Sequence, residues 1–313
     1  MLYVVSVCLP TVFIILSLWA KNEIFFKPQM EYLSQDIKRK MVSMSFYGLL
    51  IGFNAIAVLR VDAIMISDLL GLSFTGIYTI TFYFATLIKI PSRALSKITA
   101  TVFADAWKTN DLKTIDIVYY KSGLHQFIIG VLLFIGIWAN IENIFAILPS
   151  EYVAGKYVIF YIGITSLIEM ISGGSTMLIS TSKNYRMLAL FMFILLALLI
   201  ITNYIFIPIW GITGAAIASA ISTFIYFLIR YFYILKKYKM NGLGWAHLKI
   251  TFIALLAYLP SYFLPAMSHF IIDIAVRSTI ISIVFAILIY FSHISTEIDA
   301  FVLKFKTIIQ KKM

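Results

Sequence analysis

The sequence predicts an all-α integral membrane protein of about nine transmembrane helices, and three observations carry that expectation. First, the 313 residues are 62% hydrophobic and only 12% charged, with a mean hydropathy of +0.97. A soluble domain is about a quarter charged. Second, the apolar residues fall in runs of about 20, the length an α-helix needs to cross about 30 Å of hydrocarbon at about 1.5 Å per residue. Third, the basic residues that give a net charge of +11 gather in short clusters at alternate connections between those runs. That is the signature of membrane orientation, not of a nucleic-acid-binding stripe.

Taken in order, the spans are expected at 1–20, 41–66, 74–102, 123–147, 154–180, 187–208, 212–235, 249–267 and 271–293. Runs of this length suit helices and not barrel strands, because backbone groups in lipid must be paired within the segment. Lys21–Lys40 is the longest connection; Pro28 breaks it, and Ser34–Asp36 is placed to cap the second span. Pro91 removes a backbone donor inside the third span and should kink it. Asp111–Lys121 carries Leu112, Ile115, Val118 and Tyr119 at helical spacing, which reads as a helix on the membrane surface or as a solvated linker helix. Ser172-Gly-Gly-Ser175 marks close packing or a broken helix in the fifth span. Clusters such as Phe191–Phe193 read as lipid contact.

The basic clusters are Lys21, Lys27, Lys38, Arg39 and Lys40; Lys108, Lys113 and Lys121; Lys183 and Arg186; Arg230, Lys236, Lys237, Lys239 and Lys249; and Lys304, Lys306, Lys311 and Lys312. The intervening connections 67–73, 148–153, 209–211 and 268–270 carry neither lysine nor arginine. The positive-inside rule therefore places the C-terminus in the cytoplasm and Met1 outside.

Charged residues within the spans are functional candidates, because a charge at the bilayer centre is costly. Arg60 and Asp62 share the second span but, two residues apart, point in different directions. Each needs its own polar surroundings, a water-filled cavity or the outer interface. Lys89, Arg93 and Lys97 recur at i, i+4 and i+8 and form a cationic stripe, with Lys97 as the interfacial anchor. A cationic cavity face suits an anionic phosphate headgroup. Glu169 is the one carboxylate central to the fifth span; it balances a basic residue or titrates during coupling. Lys156 and Arg277 are near enough to span ends to snorkel.

Enzymatic chemistry finds no motif. The chain has no Walker sequence, HExxH, GxSxG or DxD, and its histidines are scattered. Cys8 is the single cysteine, which excludes a disulfide framework and a cysteine zinc site. Neither cofactor, metal nor nucleic-acid partner is expected.

Two stretches carry a resemblance. Arg60-Val-Asp-Ala-Ile-Met-Ile-Ser67 followed by Gly71-Leu-Ser-Phe-Thr-Gly-Ile-Tyr78, and Asn203-Tyr-Ile-Phe-Ile-Pro-Ile-Trp-Gly-Ile-Thr-Gly-Ala-Ala-Ile-Ala-Ser-Ala-Ile-Ser222, resemble the seventh-to-eighth and eleventh-to-twelfth helix turns of polysaccharide transporters of the MOP superfamily. Lys183-Asn184 fits the short connection between the tenth and eleventh helices of that family. The family includes Wzx-type O-antigen flippases and, more distantly, the MATE antiporters. The resemblance implies that 1–20 is the last helix of a missing N-terminal lobe and 21–40 a cytoplasmic loop. It makes 41–235 a six-helix C-terminal lobe, and 236–313 two additional helices with a basic tail. It further implies a flippase of the bacterial inner membrane, incomplete as this chain, that moves an undecaprenyl-pyrophosphate-linked oligosaccharide by alternating access. Arg60, Lys89 and Arg93 would bind substrate, with Asp62 and Glu169 coupling or balancing charge. Membrane lipid, the missing lobe and polysaccharide assembly proteins are the partners implied. A MATE-like cation-coupled antiporter of drugs or metabolites is the alternative, favouring carboxylates in the cavity.

Overall fold

The computed structural model describes residues 2–21, 23, 34–265, 267, 269–297 and 299–300. Lys27, Pro28 and the basic residues Lys304, Lys306, Lys311 and Lys312 lie outside the described residues. Among those described, the regular structure is entirely helical. Among the described residues, six segments are long and apolar enough to cross a membrane: Gln35–Leu69, Leu112–Ala139, Ser150–Ile171, Arg186–Tyr238, Trp245–Phe263 and Phe270–Phe291.

Two compact units make up the chain, Met1–Leu49 and Leu50–Met313. In the first, α1 (Leu2–Ala20) has no charged residue and carries Pro10 inside it. The start of α2 (Gln35–Leu69) has the expected cap: the Ile37 amide donates to Ser34 Oγ at 3.3 Å. Lys40 and Asp36 pair one turn apart at 2.6 Å, with both side chains exposed.

The second unit holds the remainder of α2 and the helices that follow. The third expected span is two helices, α3 (Leu72–Thr86) and α4 (Ile90–Thr109), joined by a 3-10 turn at Leu87–Lys89. Pro91 sits at the start of α4, and its missing N–H is why the regular hydrogen-bond ladder fails just before it. The expected surface helix at 111–121 is corrected by the structure. It is the beginning of α5 (Leu112–Ala139), and Ile115 and Tyr119 are buried in protein contacts. Asp111 caps it, accepting from the Thr114 amide at 3.0 Å, so the helix runs without interruption into the apolar stretch. The expected span 123–147 correspondingly ends early, at Asn140, and a short helix α6 (Ile141–Ile147) follows.

The fifth span divides into α7 (Lys156–Ile171) and α8 (Ser175–Thr181). Close packing and a break coincide here. Gly173 has φ +52°, and a Cβ on it would lie 2.5 Å from the Gly123 nitrogen, so only glycine fits. The chain continues in α9 (Arg186–Tyr238), interrupted by non-helical torsions at Trp210 and Gly211. That break separates the spans expected at 187–208 and 212–235. Thr202 and Ser222 hydroxyls meet across it at 2.8 Å, so the two parts fold back on each other as a hairpin. Helices α10 (Trp245–Phe263) and α11 (Phe270–Phe291) pack on α5 through Ile250, Ala257, Ile281 and Phe285. Arg277 is half-buried: it pairs with Asp273 at 2.8 Å and donates to the Leu264 carbonyl at 3.0 Å, closing the C-terminal end of α10. Lys156 is paired with Glu142.

Large apolar side chains lie at the surface while several polar ones are buried. Leu72, Phe252 and Phe263 are among the exposed large side chains, at 79, 63 and 77%, while polar groups such as Asn54, Asp62, Gln126 and Asn203 are buried. A water-soluble surface avoids extended apolar patches; a hydrocarbon-facing one is built from them.

Candidate functional site

Between α2, α4, α5, α7 and α9 lies a cavity of about 310 Å³. Its charged lining is Lys89 from the 3-10 turn, Glu169 from α7 and Arg230 from α9. Lys89 Nζ and Glu169 Oε2 are 2.8 Å apart, and both side chains are partly exposed. Glu169 thus balances a basic residue, the commoner of its two expected fates. A second cavity of about 190 Å³ also meets this pair and extends to Asp62 and Ser219.

The cationic stripe does not converge on the cavity. Lys89 lines it together with Ser92 and Ser96, whereas Arg93 and Lys97 are exposed and absent from its lining. The cause is local. The 3-10 turn ending at Lys89 has about three residues per turn, so the continuing face is taken by Ser92, whose hydroxyl donates to the Lys89 carbonyl at 2.7 Å. Arg60 is also elsewhere. It is exposed and lies in an open depression with Ile64, Ser67 and Asp68. The expected divergence of Arg60 and Asp62 is observed; of Arg60, Lys89 and Arg93, Lys89 alone lines this cavity.

Asp62 has a polar setting made of protein. Its Oδ1 accepts from Asn203 Nδ2 at 2.7 Å. Its Oδ2 accepts from Tyr78 Oη at 2.7 Å and from Ser219 Oγ at 2.6 Å. One carboxylate therefore joins α2, α3 and both arms of the α9 hairpin.

Arg230 was grouped with the cytoplasmic lysines in the sequence pattern and is the residue that pattern misplaces. It is 4% exposed. Its Nη1 donates to Thr176 Oγ1 at 2.5 Å, its Nη2 donates to Ser172 Oγ at 3.0 Å, and its Cζ lies 4.2 Å from the centre of the Tyr226 ring. The break between α7 and α8 brings Ser172 and Thr176 to it. A signal for this site existed in the sequence: Ser219, Thr223, Tyr226 and Arg230 recur every three to four residues, a polar stripe along one face of α9. All four line the two cavities.

Chemically, the site offers a fixed guanidinium, an ion pair open to exchange, and hydroxyl and amide groups within an apolar bundle. It contains no obvious nucleophile–base pair, and no cluster of three or more metal-ligating side chains occurs among the described residues. Comparison with protein-family models and with curated proteins finds no match.

Proposed function

We propose that this protein is a transporter of phosphate-bearing, lipid-linked oligosaccharides, a flippase of the bacterial inner membrane in the manner of the polysaccharide transporters its helix turns resemble. The observation that carries the reading is the cavity lined by Lys89, Glu169 and Arg230 among helices of membrane-crossing length. Two cations against one carboxylate leave the lining net positive, and a buried uncompensated charge persists where function uses it. The hydroxyls beside it suit an anionic headgroup that must leave water to cross. In this reading the nine expected spans cross the bilayer, the C-terminus is cytoplasmic, and the lobe built from α2 to α9 supplies one wall of an alternating-access pathway.

The test is translocation of a fluorescent undecaprenyl-pyrophosphate-linked sugar in vesicles containing the chain joined to a facing lobe that supplies the second wall, scored by quenching from outside. Accelerated, protein-dependent translocation is expected. Rates equal to empty vesicles at verified protein content would remove the reading.

A second reading, cation-coupled antiport of drugs or metabolites, is favoured by the buried carboxylate Asp62 at the junction of three helices. Efflux of a cationic dye driven by a sodium or proton gradient, without movement of lipid-linked sugar, would select it.

A further inference from the structure

The Arg230 end of the cavity is defined by donors that the protein leaves unused. Arginine has five N–H groups. Thr176 and Ser172 take two of the groups on Arg230, while Nε is buried without a partner among the described residues. Gln126, on α5, lines the same cavity; it is 2% exposed and its Nε2 likewise has no partner among the described residues. Buried polar groups are paired in the great majority of cases. Both orphans here are donors, so the group that completes them is acceptor-rich. Tyr226 holds the guanidinium plane from one face, leaving its edge for a planar fork of oxygens.

A second feature bears on the same ligand. Among the described residues Arg230 has no carboxylate ion pair, whereas Lys89 is paired with Glu169 at 2.8 Å. The free cation and the occupied cation line one cavity.

We propose that Arg230 and Gln126, with the Ser172 and Thr176 hydroxyls, form a subsite for one phosphate group, and that Glu169 competes with this phosphate for Lys89. The inference rests on the transporter reading for its setting, but it is defined by phosphate binding and not by translocation. The ligand chemistry is common to a lipid pyrophosphate and to free pyrophosphate. Arg60 and Arg93, which face elsewhere, take no part.

The experiment measures binding of farnesyl pyrophosphate and of inorganic pyrophosphate to the full chain in detergent micelles by isothermal titration calorimetry. Arg230→Gln should weaken binding by about 10- to 100-fold, the range for a charge-assisted hydrogen bond. Gln126→Leu removes no existing amide-nitrogen hydrogen bond, so the fold is retained, and it should weaken binding by about 3- to 10-fold. Glu169→Gln should tighten binding, an outcome that mere structural damage would not produce. Arg93→Gln should leave it unchanged. Stronger binding of the farnesyl ligand identifies a lipid headgroup as the occupant; equal binding of both probes identifies phosphate alone. No binding of either probe to the wild type would overturn the subsite, as would wild-type affinity in the Arg230→Gln, Gln126→Leu double variant. If that double variant binds normally while the wild type translocates lipid-linked sugar, the subsite fails and the transporter reading stands. Phosphate binding lost in Arg230→Gln, in a protein that moves no lipid, would retain the subsite and reject the transporter.

Discussion

Replacing Asp62 with alanine removes both acceptor oxygens that Tyr78, Asn203 and Ser219 share. Interhelical hydrogen bonds in membrane proteins average about 0.6 kcal/mol, so losing three destabilises by about 2 kcal/mol. Release of the buried carboxylate acts in the opposite direction by an amount that differs between proteins. A thermodynamic cycle cancels that contribution. Tyr78→Phe and Ser219→Ala together remove two of the three bonds, about 1.2 kcal/mol in an Asp62 background. In an Asp62→Ala background those bonds are already gone, and the same two substitutions should cost nothing, or stabilise slightly by removing stranded hydroxyls. The coupling is therefore at least about 1.2 kcal/mol, above the roughly 0.3–0.5 kcal/mol within which independent sites add. The measurement is reversible unfolding by sodium dodecyl sulfate in mixed micelles, followed by tryptophan fluorescence, for the wild type, Asp62→Ala, the Tyr78→Phe/Ser219→Ala pair and the triple variant. Additive losses in the triple variant would refute the claim that one carboxylate clasps three helices.

Three further outcomes are expected. Single cysteines replacing Ser73 and Ser150 in a Cys8→Ser background should react with an impermeant maleimide from outside, and one replacing Lys113 should not; the reverse pattern would invert the orientation read from the basic clusters. Gly214→Ala places a Cβ 2.0 Å from the Phe206 carbonyl oxygen, backbone that cannot step aside, so it should destabilise the α9 hairpin by at least about 1–3 kcal/mol in the same micelle assay. At the cytoplasmic end of the proposed topology, Lys121 donates to Glu297 and holds its carboxyl down to about 2 from an ordinary 4.5. A depressed carboxyl stabilises above its unfolded value, so docking of 292–297 on α5 should loosen as pH falls from about 4.5 to about 2. Hydrogen exchange corrected for intrinsic rate should show that loosening, and Glu297→Gln should show it already at neutral pH.

Helical segments were legible in the sequence because apolar runs of membrane length have few other solutions, and Pro91 and Gly173-Gly174 marked two breaks by their backbone chemistry. The Asp111 cap was less so: an N-cap fuses a polar turn to an apolar helix, which a search for uniform apolarity divides. Most of the site was hidden for a different reason. Helical phase runs from Lys89 to Arg93 only if the helix is regular, and a single 3-10 turn gives the cavity face to Ser92 and Ser96 instead. Proximity in sequence to Lys236 and Lys237 concealed Arg230, although the stripe at 219, 223, 226 and 230 was present. Its partners Ser172 and Thr176 are more than fifty residues away, and only packing brings them together.

The order in which the Asp62 partners are synthesised sets a problem for the nascent chain. Tyr78 follows 16 residues later, but Asn203 follows 141 and Ser219 157 residues later. At about 5–20 residues per second, roughly 8 to 30 s separate emergence of the carboxylate from that of its last donor. Until Asn203 is made, an inserted α2 would carry its carboxylate two donors short of the folded set. A ribosome arrested before residue 203 should therefore hold α2 in a retrievable, water-accessible position, and one arrested after residue 219 should release it to lipid. Commitment of an early helix to the bilayer would then be timed by the arrival of a late one.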